Sequence, residues 1–118
     1  MIRVGDLQTT RDFTDVRDVV RAYKLLLEKG RSGQSYNICS GNETSLQSIL
    51  NELIKNVGVA IRVEQDEGLM RHAEQRRTCG SYAKVHKETG WSPTMPLSRT
   101  LADMLSYWLD TLKPAVGH

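Results

Sequence analysis

Apolar positions recur at intervals of three and four in three stretches of the chain, the period of a helix that turns one face inward. In the first stretch Val16, Val19, Val20, Tyr23, Leu26 and Leu27 share a face, with Arg17, Arg21, Lys24 and Glu28 opposite. The helix is predicted to start near Asp15, whose carboxylate, like the Thr14 hydroxyl, can accept from the free N–H groups of the first turn, and to stop at Gly30. The second runs from about Ser45 to Val57, with Leu46, Ile49, Leu50, Leu53, Ile54 and Val57 in register. Thr44 and Gln47 have the spacing of a capping box, and Gly58 ends it. A third begins near Ser98, after the turn "SPTMP", and places Leu101, Met104, Leu105, Trp108, Leu109 and Leu112 on one stripe before Pro114. The width of that stripe predicts a buried helix.

Weaker patterns fill the gaps. A short helix fits Tyr82 to Thr89, capped by Ser81 and stopped by Gly90. "QSYNICS", residues 34–40 between Gly33 and Gly41, reads as a strand that buries Cys39, and "IRVEQ" at 61–65 as another. The expected fold class is mixed α/β, three main helices with a few short strands. One domain over residues 1–112 is followed by a frayed tail at 113–118. So small a sheet cannot cover three amphipathic helices, which points to an oligomer or to a partner domain.

Composition narrows the classes without choosing among them. The chain has 118 residues, 39% apolar and 25% charged, and contains no biased tract. Its net charge of +2 is spread evenly, with eight basic and seven acidic residues in positions 1–60. No basic face results that would track a nucleic-acid backbone. Apolar runs are only a few residues long, as in "KLLLE" at 24–28, so no span or leader is read and a cytoplasmic protein is expected. Cys39 and Cys79 stand alone, without the spacing of a zinc or redox motif, and both are expected reduced.

Side-chain chemistry is sparse in the same way. "GRSG" lies between a helix and a strand, the wrong order for a phosphate loop, and no Tyr stands four residues before a Lys. His72, His86 and His118 are too scattered for a metal site, with His86 expected on a helix surface. Arg11 and Arg71 are different, because each sits in a loop-like setting where a planar guanidinium could meet phosphate oxygens. Composition alone favours solvation, or pairing with Asp12 or Glu74.

The order of segments adds a resemblance. "GDLQTTRDFTDVRDVVRAY", "YNICSG", "LMRHAEQRRTCG", "TGWSP" and "TLADMLSYW" together resemble the C-terminal lobe of extended short-chain dehydrogenase/reductases that act on nucleotide sugars, of the GDP-mannose 4,6-dehydratase and GDP-4-keto-6-deoxymannose reductase kind. The resemblance covers residues 5 to about 110. It implies that Arg11 and Arg71 contact a nucleotide diphosphate and that Glu74 meets the ribose hydroxyls, with GDP or a GDP-sugar as the ligand. Ser81 stands where that family has Asp, His72 where it often has Pro, and Arg76 and Arg77 match no family ligand. The family's NAD(P)-binding loop and catalytic Tyr and Lys lie upstream of the matching region. The expectation is therefore a nucleotide-sugar-binding portion that binds no cofactor and is not catalytic alone. As a homodimer or higher oligomer, or with a separate cofactor-domain chain, it would cover the faces the family packs against its cofactor domain. The alternative is a non-enzymatic interaction module with a decayed ligand site.

Overall fold

A computed structural model describes residues 1–69 and 79–112, and the fold it shows is built around one tryptophan. Strands β1 (Ile2–Val4) and β2 (Thr10–Asp12) lead into helix α1 (Val16–Lys29). After an extended stretch, β3 (Glu43–Ser45) runs directly into α2 (Leu46–Val57), and β4 (Val63–Gln65) is followed by a single 3₁₀ turn at Glu67–Leu69. Helices α3 (Ala83–Thr89) and α4 (Leu97–Thr111) complete the described chain. β1 pairs with β4 in parallel, Ile2 opposite Val63, and β2 with β3 antiparallel, Arg11 opposite Thr44. The mixed α/β class read from the sequence is what the structure shows.

Trp91 follows Gly90, whose positive φ of 80° ends α3 by sending its N–H back to the His86 carbonyl. That turn drives the indole into a fully buried site with Ala22 of α1 and Val85 of α3, against which Leu25, Leu26, Tyr36, Ile38 and Tyr82 pack. The indole N–H donates to the Asp18 carbonyl at 2.9 Å, so the largest buried side chain leaves no polar atom unsatisfied. The Asp18 carboxylate, only 2% exposed, accepts from the backbone N–H groups of Thr94 and Met95, from the Thr94 hydroxyl and from Arg21. One aspartate thus fastens α1 to the turn that launches α4.

A second fastening lies one turn away. Asp15 caps α1 by accepting from the Arg17 N–H, and its carboxylate also takes the Arg17 guanidinium and the Thr100 hydroxyl of α4. Arg17 continues to Asp103, which also holds Arg99. These contacts set the crossing of α1 and α4, while α2 packs along the other side of α4 near Leu101.

Several sequence expectations need correction. "QSYNICS" is not assigned as a strand: a ladder requires a neighbour, and the described residues provide none beside 34–40. Cys39 is accordingly half-buried in an extended segment, and both cysteines are free thiols. The capping box is displaced, since Ser45 is the N-cap that accepts from the Ser48 N–H and Gln47 instead donates to Asn51. Ser81 does accept from the Ala83 N–H at 3.3 Å, although Tyr82 occupies the cap position. The strand at 61–65 shortens to Val63–Gln65. The α4 stripe is not buried: Leu101 is, but Met104, Trp108, Leu109 and Leu112 are all more than half exposed, because among the described residues no layer lies against that side of the helix. His86 sits on the exposed surface of α3, as expected. The tail at 113–118 lies outside the described residues.

Replacing Asp18 by Ala should strand the Thr94 and Met95 donors and lower stability by about 2 kcal/mol or more, a drop of roughly 10 °C in melting temperature measured by circular dichroism. Acid should have a related effect. The carboxyls of Asp12, Asp15 and Asp18 are all held below the ordinary 3.8 in the folded chain. For Asp15 the Arg17 hydrogen bond dominates; for Asp18 burial pushes upward and the bonds from Met95, Arg21 and Thr94 outweigh it. Below the unfolded value the unfolded chain binds protons that the folded one refuses, so stability present above about pH 4 is lost as pH falls through the folded values. Urea midpoints should be level between pH 5 and 7 and decline steadily below pH 4.

Candidate functional site

Period two along β2 places the Arg11 side chain on one face of the strand, and Thr10 and Asp12 on the other. Arg11 lines a cavity of about 550 Å³ whose far wall is the apolar face of α2, Leu46, Ile49, Leu50 and Leu53. Its guanidinium donates to the Thr10 carbonyl at 2.7 Å, which folds the side chain back along the strand. Leu69 from the 3₁₀ turn and the backbone of Val4 and Gly5 close the remaining side. The result is a largely apolar slot whose rim carries the Arg11 guanidinium and the Asp6 carboxylate.

The loop between β1 and β2 builds that rim. Asp6 accepts from the Gln8 N–H at 2.9 Å and from the Thr9 hydroxyl, closing a tight Asx turn. The turn aims the carbonyls of Leu7 and Thr9 at α2, where they accept from the N–H groups of Gln47 and Leu46, both at 3.0 Å. The first turn of α2 is thereby satisfied by the same loop that leads to Arg11. Gly5 is obligatory in this arrangement, because a Cβ there would lie 2.6 Å from the Leu69 carbonyl oxygen.

On the opposite face of β2, the Asp12 carboxylate accepts from the Ser40 N–H (2.9 Å), the Ser40 hydroxyl (2.6 Å) and the Gly41 N–H (2.8 Å). Burial alone would raise its pKa; these bonds outweigh that and hold it below the ordinary carboxylate value. Of the three residues expected at a ligand, the structure therefore places Arg11 at a cavity. Arg71 and Glu74 lie outside the described residues, as do His72, Arg76 and Arg77. The apolar wall was legible only as a helix face expected in the core, and the Asx turn at Asp6 only as the "GD" that precedes it.

The N-termini of α1 and α2 are closed by the Asp15 and Ser45 side chains, the first of them anionic, and neither opens on a glycine-rich turn. Among the described residues no cluster of three or more His, Cys, Asp or Glu could hold a metal, and no helix is long and apolar enough to cross a membrane.

Comparison with known proteins places this geometry. Residues 1–104 match the family described as GDP-mannose 4,6 dehydratase. The chain is 42% identical, over 91% of its length, to the GDP-6-deoxy-D-mannose reductase of Pseudomonas aeruginosa, of which it covers 35%. It is 33% identical to a dTDP-glucose 4,6-dehydratase of Haemophilus influenzae, covering 34% of that protein. Among solved structures, RMD from Pseudomonas aeruginosa complexed with NADPH superimposes with a TM-score of 0.88 at 40% identity, over 94% of this chain and 36% of that one. A UDP-glucose 4-epimerase with UDP-glucose from Thermotoga maritima gives 0.85 at 28% identity, over 95% and 36%. The chain spans about a third of the length of these relatives and belongs to the GDP-mannose 4,6-dehydratase family.

Proposed function

We propose that this member of the family is a nucleotide-sugar-binding portion whose cavity takes the nucleoside diphosphate of a GDP-sugar, with Arg11 neutralising phosphate charge. The observation that carries the reading is Arg11 at the rim of an apolar slot, in a chain 42% identical to a GDP-6-deoxy-D-mannose reductase. An apolar wall facing a guanidinium suits a ligand with a flat, weakly polar end and an anionic end. Arg71 and Glu74 join Arg11 in the proposal as second diphosphate contact and ribose acceptor, on the family pattern. Hydride transfer is assigned no step in this reading. Calorimetric titration with GDP and GDP-mannose should show saturable binding that falls at least tenfold in Arg11→Ala. No heat at millimolar ligand would overturn the reading.

The exposed surface supports a partner. Its apolar part is concentrated on two helices, with Val16, Val20, Tyr23 and Leu27 along α1 and Met104, Tyr107 and Trp108 along α4. Val16, Met104 and Trp108 line a common hollow, so the two stripes form one patch. The occupant we propose is a second copy of the chain, in place of the cofactor domain that the intact family carries. Light scattering at micromolar concentration should give a dimer or larger; a monodisperse monomer would overturn it. The same patch favours the second reading, an interaction module with a decayed ligand site, which the titration separates from the first.

A further inference from the structure

The node beneath Arg11 joins segments that are remote in sequence. Asp12, on the strand face opposite Arg11, receives donors from Ser40 and Gly41, and Gly80 lies against Cys39 at the edge of that turn. Neither of those segments drifts freely. Gly41 has a φ of 76°, and the Tyr82 ring lies 3.3 Å from the position a Cβ would take there. Gly80 has its own Cβ position blocked by the Cys39 sulfur at 2.9 Å, so the Cys39 side chain packs directly on the Gly80 backbone. Tyr82 in turn stands edge-on to Trp91, with ring centroids 5.7 Å apart. A continuous path of contacts therefore runs from the buried indole through Tyr82 and Gly41 to Asp12, and so to the strand that carries Arg11.

The other flank of Arg11 is held as well, since the Thr10 hydroxyl donates to Glu43 on β3. The anchor at Asp12 leads back to the core through Gly41 and Tyr82. Glu43 stands directly opposite Asp12 in the β2–β3 pair, a like-charged juxtaposition that is unfavourable in an isolated hairpin. The donors from Ser40 and Gly41 offset it, which is a reason for the carboxylate to be retained where it is.

We propose that Asp12 is a positioning residue: it ties the strand bearing Arg11 to the 40–41 turn and, through Cys39, to Gly80, and so presents the guanidinium to the cavity. The proposal rests on the reading of that cavity as an anion-binding site, and its test keeps the two apart. Amide hydrogen exchange and GDP titration are measured on the wild type, Asp12→Asn, Ser40→Ala and Arg11→Ala.

Asp12→Asn turns an amide N–H₂ toward donors it cannot accept from. Its amides at Ser40, Gly41 and Gly80 should exchange at least tenfold faster, while those of Ala22 and Val85 in the core keep their protection. GDP affinity should fall about tenfold in the same variant. Ser40→Ala removes one bond of the node and should move both readouts in the same direction by a smaller factor, which carries the test should Asp12→Asn not fold. Arg11→Ala should lose GDP while leaving exchange at 40, 41 and 80 unchanged. Faster exchange confined to Ser40 and Gly41, or GDP affinity undiminished in Asp12→Asn and Ser40→Ala, would overturn the positioning role. A wild type that takes up no GDP would overturn the reading of the cavity, and the coupling of Asp12 to Gly80 would then stand or fall on the exchange pattern alone.

Discussion

The buried contact between Asp18 and the Trp91 turn is the constraint on which the other placements depend. Trp91 is bulky enough to organise a core from very few neighbours, and it enters only because its N–H finds the Asp18 carbonyl. The Asp18 side chain then consumes the two backbone donors that would otherwise be stranded where the chain turns toward α4. Arg21 completes the arrangement, reaching the Asp18 carboxylate and the Ser92 carbonyl while lying 5.8 Å from the indole centroid. The polar groups here act as fasteners between elements, and among the described residues the fully buried apolar cluster is Ala22, Val85 and Trp91.

So small a core changes the meaning of amphipathic helices in this chain. On α1 the side that faces inward is Asp18, Ala22, Leu25 and Leu26, while the most apolar line, ending in a Leu27 that is 90% exposed, points outward. On α4 only Leu101 is well covered. Both helices are patterned for two contact surfaces, one of which the described residues satisfy.

This explains what could and could not be read from the residues in order. Helix positions were legible because Asp15, Gly30, Gly58 and Gly90 mark ends that depend on local chemistry alone. The extent of burial was not, because periodicity reports that a face is apolar and says nothing about whether anything lies against it. The three-residue strands β1, β2 and β3 went unseen for a related reason: each is defined by its partner, Val63 for Ile2 or Thr44 for Arg11, and has too few residues to show alternation. "QSYNICS" has the opposite property, with strong local β character and no described partner. For the site, the composition of Arg11's surroundings favoured a bystander, and family resemblance weighed the other way. The cavity wall could not be identified from sequence, since a helix face lining a slot and one lining a core have the same pattern.

The close approach of Gly5 to the Leu69 carbonyl has an evolutionary side. One wall of the cavity is set by backbone meeting backbone, with no side chain between them to lengthen or trim. Substitution there cannot widen the slot by small steps; it breaks the wall. The α2 wall is made of four separate aliphatic side chains and can be altered one methyl group at a time. The shape of this slot is therefore easier to change through Leu46, Ile49, Leu50 and Leu53 than through its strand side.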